Sequence, residues 1–343
     1  MSVRLKRAAA AVLAPTGALQ LYRRAFPRSR SKLLFLGHHR VMPLPDEYGH
    51  QGDVELVSAT PAEFAWQVEY LARHFEPVTC RDVIAALRGN RSLPRNAVAV
   101  TFDDGFSDLY EYAMPILERA RVPATVFIPT DYVDSGEPLW FDLIAYILMN
   151  VDVRSVAVPL AAKELPESDD VQSRRKAIKS ILAWLKICPD AERLAFIAYT
   201  QTAFPEVVAA GTAALGRALN WNEIREMSAR GVEFGAHSAS HPCLTRISDE
   251  ALRREMVLPK KALEEHLGIA VESMAYPFGG RNSFSPAVAA AARAAGYQVG
   301  VSYLPGINTL PFADSFALLR QHIERDTTRS YFKAVVNAPE VFR

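Results

Sequence analysis

The chain has 343 residues, of which 39 are Lys or Arg and 38 are Asp or Glu, so the formal net charge is +1. This length allows one large α/β domain or two ordinary ones, and the balanced charge gives no indication of nucleic acid or of a strongly acidic partner. The three cysteines, Cys80, Cys188 and Cys243, are far apart and outside any CxxC spacing, which argues against a disulfide framework.

Residues 1–31 are predicted to form a basic N-terminal arm. The first residues, MSVRLKRAAAAVLAP, combine basic and apolar residues as a secretion signal does, but Pro15 interrupts the apolar run, and Arg23 and Arg24 follow. No apolar run in the chain approaches the roughly 20 residues that span a bilayer. We therefore expect a cytoplasmic protein whose arm packs on the domain and makes peripheral contact with the inner membrane.

The first two predicted strands both end in residues that carry chemistry. Residues 32–36 form an apolar strand that leads to His38 and His39, and residues 97–102 form a second strand that leads to Asp103 and Asp104. Two neighbouring carboxylates repel each other and lose hydration, so they need a cation, a shared proton or solvent. On this segment alone, an ordinary Asp-Asp-Gly turn explains the pattern equally well.

Strands and helices alternate along most of the remaining chain. A helix over residues 108–121 and a strand over 124–128 complete a strand–helix–strand unit, which is typical of parallel pairing. Residues 141–219 are predicted to be a helical insertion within the domain. Further strands are predicted over residues 232–236, 271–276, 298–302 and 316–323.

About seven short strands alternating with helices favour a (β/α) barrel, whose site lies where the carboxyl ends of the strands converge. The alternative is an open doubly wound sheet, but the first crossover has no glycine-rich phosphate loop. We predict one domain over residues 32–330 and a C-terminal tail over residues 331–343.

The strand predicted over residues 232–236 ends in His237 and His241, which should lie near Asp103 and Asp104 at the barrel mouth. Two neutral imidazoles and one carboxylate make a three-ligand divalent site with an open position for water, the composition of a catalytic zinc site. This combination favours a metal site over the ordinary turn.

Three segments together resemble the NodB-type polysaccharide deacetylases, carbohydrate esterase family four. These segments are TFDDG at residues 101–105, HSASH at 237–241 and YPFG at 276–279. The segment GHHRV at residues 37–41 is similar to the branch of the family that opens with a Tyr-His-Arg-Val-like sequence. The resemblance covers roughly residues 32–325 and implies a distorted or incomplete (β/α)7 barrel.

The resemblance also implies the roles of the site residues. Asp104, His237 and His241 would bind the divalent metal, which we expect to be Zn2+, and Asp103 would be the general base. The backbone N–H of Phe278 would stabilise the developing oxyanion. A protonated histidine would then deliver a proton to the leaving amine.

The sequence departs from the family pattern in two places. The third motif normally carries an arginine two residues before its proline, where this chain has Ala275, and we predict that Arg320 replaces it beside Asp103. The family branch assigns the acid to His39, with His38 in the place of the tyrosine. His322, near the position of the usual C-terminal acid, is the alternative.

We predict a carbohydrate deacetylase that removes N-acetyl groups from an amino-sugar glycan or a glycolipid precursor and releases acetate. Two alternatives remain open, an O-acetyl carbohydrate esterase and a carbohydrate-binding protein with a decayed site. Trp140 is the best candidate for a sugar contact, and Glu255 is expected to be a solvated or paired residue.

Overall fold

The computed structural model describes residues 3–25, 31–44, 46, 49–157 and 170–342, so part of the predicted arm, residues 26–30, lies outside the described residues. The strands are β1 (Lys32–His38), β2 (Arg40–Val41), β3 (Val57–Ala59), β4 (Glu76–Pro77), β5 (Ala97–Phe102), β6 (Ala124–Ile128), β7 (Glu233–Ala236), β8 (Ser273–Ala275), β9 (Val299–Val301), β10 (Asn308–Thr309) and β11 (Arg320–His322).

Eleven of the fifteen described α-helices lie between two strands in chain order. The helices are α1 (Val3–Leu13), α2 (Ala18–Ala25), α3 (Pro61–His74), α4 (Cys80–Leu87), α5 (Met114–Ala120), α6 (Thr130–Ser135), α7 (Trp140–Asn150), α8 (Val171–Leu185), α9 (Asp190–Ala203), α10 (Pro205–Ala214), α11 (Trp221–Ala229), α12 (Asp249–Leu267), α13 (Pro286–Ala294), α14 (Arg329–Asn337) and α15 (Pro339–Phe342). A π-helical turn, Leu109–Ala113, leads into α5.

The central sheet curls into an incomplete barrel. Its parallel strands follow the order β1-β5-β6-β7-β8-β9, and β11 pairs in parallel with the free side of β1. A single bridge from Val301 to Leu318, two residues before β11, brings the two sides of the sheet together. The predicted α/β fold, a distorted (β/α)7 barrel, is confirmed.

Two details of the sheet differ from the sequence prediction. The strand predicted over residues 316–323 is reduced to β11, because residue 318 before it makes only the isolated bridge to β9. The short strand β10 pairs antiparallel with the beginning of β1. Its two polar residues carry no periodic apolar signal, so the sequence did not indicate it.

The strand β5 positions the carboxylates because it is buried on both faces. All six of its residues are buried, as expected for an apolar strand between two parallel neighbours. Its one polar side chain, Thr101, donates a hydrogen bond of 2.8 Å to the carbonyl of Leu36 on β1. The chain therefore leaves the sheet at Phe102 and delivers Asp103 and Asp104 at the carboxyl end.

The predicted insertion forms the helices α7 to α10 and shares the hydrophobic core of the barrel. Ile144 and Ile147 of α7 and Ile181 of α8 are buried in the same cluster as Leu34 and Val100 of the sheet. The division of the chain into domain and insertion stays a prediction, since a shared core does not test where one unit ends.

The N-terminal arm and the C-terminal segment pack on each other. Ala10 of α1 is buried against α14, where Val335 is also buried. The opposite side of the arm exposes Leu5, Val12 and Leu21, which are 56%, 70% and 67% exposed. In the described part of the chain, no helix combines the length and the apolar character needed to cross a membrane. Peripheral membrane contact and a cytoplasmic location stay predictions.

Candidate active site

The predicted site residues meet at the carboxyl ends of the parallel strands. All of them except Arg320, which lies behind Asp103, line a cavity of about 330 Å³. Its walls come from β1, β5, β7 and the loops after β8 and β9, and also from the helical insertion. The lining residues are His39, Asp53, Glu55, Leu56, Ser58, Asp103, Asp104, Phe141, Lys186, Ile187, His237, His241, Phe278, Gly280, Asn282, Ser283, Tyr303, Ile323 and Glu324.

Asp104, His237 and His241 form a compact cluster of metal-ligating groups. One ligand atom from each residue lies within 4.8 Å of the other two. The Oδ1 atom of Asp104 is 3.6 Å from Nε2 of His237 and 3.4 Å from Nε2 of His241. All three side chains are buried, so the cluster is shielded from bulk water.

The backbone at this cluster adopts conformations that L-residues rarely use. Asp104 has φ +73° and His241 has φ +57°, both in the left-handed region. Such conformations cost about 1–2 kcal/mol each and persist where the surrounding structure holds them. Here they aim both side chains at the same point.

The ring of His237 is oriented by a backbone contact. Its Nδ1 lies 2.9 Å from the carbonyl of Ala275, so Nδ1–H donates and the lone pair of Nε2 faces Asp104. Ala275 occupies the position where the family has an arginine, and in this chain it contributes a carbonyl to the ligand cluster.

The protonation states of the cluster suit a divalent cation. Burial, followed by the charges of Asp103 and Asp142, raises the pKa of Asp104 well above its ordinary value and outweighs the opposing charges of Arg320 and Lys186. Burial also lowers the pKa of both histidines, so they are neutral ligands. Among the described residues, the buried Oδ1 of Asp104 has no hydrogen-bond partner. A cation bound there would satisfy that atom.

Arg320 contacts Asp103 through both terminal nitrogens of its guanidinium group. The Nη1–Oδ1 and Nη2–Oδ2 distances are 2.7 Å and 2.6 Å, which is a bidentate ion pair. Burial alone would raise the pKa of Asp103, but the guanidinium overrides it and holds that pKa well below its usual range. Arg320 therefore stands where the absent motif-three arginine would act, and its catalytic role stays a prediction.

The approach of Arg320 to Asp103 requires a glycine on β1. Arg320 lies on β11 and Asp103 follows β5, so the side chain must cross β1, which separates those strands. It crosses at Gly37, where a Cβ atom would lie only 2.9 Å from Cδ of Arg320 and 3.1 Å from the ring of Tyr303. Any side chain at this position would displace the guanidinium.

The two candidate acids occupy different places. His39 lines the cavity, and its ring meets the edge of Tyr303 at 5.5 Å. His322 stacks on the other side of that tyrosine at 3.6 Å, with Nε2 2.5 Å from the Tyr303 carbonyl, and it is not among the lining residues. Burial lowers the pKa of His39 to about 3. Position favours His39, which is neutral in the substrate-free protein.

Phe278 and Trp140 lie next to His241. Phe278 has φ +61°, and its ring meets that of His241 at 4.9 Å. In the described part of the chain, no acceptor receives a hydrogen bond from its backbone N–H. Trp140 does not line the cavity, and its indole N–H donates to the carbonyl of His241 at 3.1 Å. This tryptophan supports the ligand loop, a contact that the sequence did not indicate.

Glu255 of α12 holds the loop that carries both histidines. Its Oε2 accepts hydrogen bonds from the backbone N–H groups of Ala239 and Ser240 at 2.8 Å and 2.9 Å, and its Oε1 accepts from the hydroxyl of Ser240 at 2.7 Å. The expectation that Glu255 is paired was therefore right, but its partner lies in the site. The sequence around Glu255 is rich in charged residues, as on a solvent-exposed helix, and so it did not indicate a contact with the histidine loop.

The comparisons with known proteins agree with this geometry. A family model described as "Polysaccharide deacetylase" matches residues 90–300, more than half of the chain. The poly-beta-1,6-N-acetyl-D-glucosamine N-deacetylase of Escherichia coli K12 is 36% identical over 78 residues, which are 23% of this chain and 11% of that protein. The enzyme of the same name from Staphylococcus epidermidis is 27% identical over 112 residues, 31% of this chain and 39% of that protein. The matched region thus spans well under half the length of these curated relatives.

Solved structures show the same fold. A Streptococcus pyogenes deacetylase, PplD, in complex with acetate superposes with a TM-score of 0.57 at 19% identity, covering 87% of this chain and 94% of the other. IcaB from Ammonifex degensii superposes with a TM-score of 0.54 at 18% identity, covering 91% of this chain and 98% of the other. The incomplete barrel, the ordered motifs and the matched family model lead to one conclusion, which is that the protein belongs to the polysaccharide deacetylase family.

Proposed function

We propose that the protein is a metal-dependent hydrolase that removes N-acetyl groups from an amino-sugar glycan or glycolipid precursor and releases acetate. One observation carries the proposal: the ligand cluster of Asp104, His237 and His241 lies in one cavity with the ionised carboxylate of Asp103. The names of the relatives from Escherichia coli and Staphylococcus epidermidis support an N-acetylated amino-sugar polymer as the substrate class.

The cluster fits zinc, since two neutral imidazoles and one carboxylate leave an open position. A bound cation of this kind supplies Lewis-acid polarisation of a carbonyl and lowers the pKa of a water molecule. Asp103 is placed to take the proton of the attacking water, because Arg320 keeps it ionised and fixes its orientation. In the proposed reaction, the N–H of Phe278 donates to the acetamide oxygen as negative charge develops.

The leaving amine needs a proton before the C–N bond breaks, and His39 is the group in the cavity that can carry it. With a pKa of about 3, His39 holds no proton in the substrate-free protein. It therefore acts as the acid only after Asp103 has passed on to it the proton taken from the attacking water, which also returns Asp103 to its ionised form. The bond to nitrogen then breaks, the amine leaves with that proton, and acetate is the second product.

The low pKa of His39 favours a second candidate function, an O-acetyl esterase. An alkoxide leaves more readily than an amide nitrogen, so ester cleavage depends less on a strong acid. The structure has the same base and ligand cluster for either reaction.

The test of the proposal is acetate release by zinc-reconstituted protein from N-acetylglucosamine oligomers and from O-acetylated sugars. We expect kcat/KM to be higher on the N-acetyl substrates. Higher kcat/KM on the O-acetyl substrates would instead identify the esterase. Tight zinc binding without release from any acetylated sugar would identify a binding protein with a decayed site.

The two aspartates should respond differently to substitution. Asp104→Ala should abolish stoichiometric zinc binding, because it removes the only anionic ligand of the cluster. Asp103→Asn should keep zinc and lose activity by about 100-fold or more, because it removes the base. Zinc content by mass spectrometry and acetate release measure the two effects, and equal zinc loss in both variants would overturn this division of roles.

Arg320→Lys should keep the fold and lower kcat/KM by about tenfold or more, because an ammonium cannot make both contacts to Asp103. Weaker stabilisation of the carboxylate raises the pKa of Asp103, so the acidic limb of the kcat/KM profile should move to higher pH. The exposed pair of Arg88 with Glu272 offers the control Arg88→Lys, which should leave the profile unchanged. An unshifted acidic limb in Arg320→Lys would contradict the positioning role.

Glu255→Gln should weaken zinc binding by about tenfold, since groups that orient ligands from outside the cluster typically contribute 10–100-fold. The amide retains one acceptor oxygen but loses the charge that holds two backbone N–H groups. Chelator competition measures the affinity, and Glu265→Gln, on the exposed face of the same helix, is the matched control. Equal zinc affinity in the Glu255 variant and the control would show that the loop of His237 and His241 keeps its conformation without the Glu255 carboxylate.

A further inference from the structure

A second cavity continues from the catalytic cavity along helix α8. It has a volume of about 470 Å³ and is lined by one face of that helix and by the turn of residues 53–55. It shares Asp53, Glu55 and Lys186 with the catalytic cavity, so the two form one continuous depression. We call this second cavity the α8 groove.

Three lysines face the α8 groove. Lys176, Lys179 and Lys186 lie three and seven residues apart, and at 100° per residue these spacings place them on one side of the helix over about 15 Å. Among the described residues, none of the three ammonium groups has a carboxylate within 4.0 Å. The groove therefore presents a row of cations that no carboxylate of the described residues pairs with directly.

The groove also has two carboxylates, fewer than its four cationic side chains, and the charge of Asp53 interacts with Lys186. The carboxylate of Asp53 accepts a hydrogen bond of 3.2 Å from the backbone N–H of Glu55 and so caps the short turn. Glu55 lies 3.8 Å from the guanidinium of Arg325. Arg175 adds a fourth cation to the groove while its guanidinium donates to the carbonyl of Gly52 at 2.9 Å. Positive charge thus dominates the surface that a ligand would meet.

Lys186 lies at the junction of the two cavities. It caps the carboxyl end of α8, is half-buried, and has its Nζ 5.4 Å from the centre of the Phe278 ring. Phe278 is the residue whose N–H faces the reacting acetamide in the proposed reaction. A ligand that reaches from the ligand cluster into the groove must therefore pass Lys186.

We propose that the α8 groove binds an anionic group, a phosphate or a carboxylate, that the substrate carries next to its N-acetylated sugar. The proposal rests on the deacetylase function proposed for the same cavity and adds the charge of the substrate. Lys186 contacts the group nearest the reacting sugar, and Lys179 and Lys176 extend the contact along the chain. A phosphate would come from a lipid-linked or nucleotide-linked precursor, and a carboxylate from an acidic glycan.

The test compares binding of three probes to zinc-reconstituted Asp103→Asn protein at low ionic strength. The probes are N-acetylglucosamine oligomers, the same oligomers with a 1-phosphate, and an alternating N-acetylglucosamine–glucuronate oligomer. We expect a charged probe to bind about fivefold or more tightly than the neutral one. Tighter binding of the phosphate probe identifies a phosphorylated precursor, and tighter binding of the glucuronate probe identifies an acidic glycan.

The variant Lys179→Gln/Lys186→Gln should remove most of this preference, whereas the neutral probe should still bind. Lys261→Gln, an exposed lysine on α12 that lines neither cavity, is the matched control. The preference should also shrink with added salt, since exposed charges are screened over about 10 Å at 0.1 M. Equal affinity for charged and neutral probes, or a preference that survives in the double variant, would overturn the proposal.

Binding and turnover separate this proposal from the function on which it rests. If charged probes bind more tightly but the protein with Asp103 intact releases no acetate, anion binding by the α8 groove is supported and the deacetylase function is contradicted. If the protein releases acetate from charged and neutral substrates with equal kcat/KM, the deacetylase function is supported and anion binding by the α8 groove is contradicted.

Discussion

The buried ion pair of Asp103 and Arg320 is the interaction on which both the barrel and the proposed chemistry depend. Its side chains are 3% and 0% exposed. Removing two charges from water costs several kcal/mol per ion, which only close geometry and further hydrogen bonds offset. The pair has both, since Arg320 also donates to the hydroxyl of Thr101 and the carbonyl of Ser302. Because Thr101 lies on β5 and Ser302 directly follows β9, the guanidinium that contacts Asp103 also connects β11 to both sides of the sheet.

The same pair explains how two adjacent aspartates come to differ. Asp103 has a guanidinium on both oxygens, and its pKa is lowered. Asp104 lies one residue further, is equally buried and lies beside two neutral imidazoles. Burial and the charges of Asp103 and Asp142 raise its pKa, although Arg320 and Lys186 oppose the shift. A bound cation would compensate the hydration that this second carboxylate loses, whereas Arg320 already compensates the first.

The sequence predicted the site residues that directly follow the ends of strands, and it missed Glu255, which contacts the site from helix α12. The carboxylates, His39 and the two ligand histidines could be placed because parallel strands bring their carboxyl ends together. Glu255 could not, because its contact with the histidine loop depends on how α12 packs on β7. Residues 331–343 were predicted to be a C-terminal tail, and within them Phe332 and Val335 of α14 are fully buried. An amphipathic helix at the end of a chain does not reveal which surface it covers.

The arrangement separates chemistry from recognition. The segments that follow β5 and β7 carry the proposed base and metal ligands, and β11 carries Arg320, all held by buried contacts that tolerate little change. The helical insertion supplies Phe141, Lys186 and Ile187 at the cavity wall, and Lys186 and Ile187 follow directly after a helix whose exposed face is basic. Since residues on such a helix surface can change without disturbing the ion pair or the ligand cluster, the insertion is where this protein would differ in substrate from other members of its family.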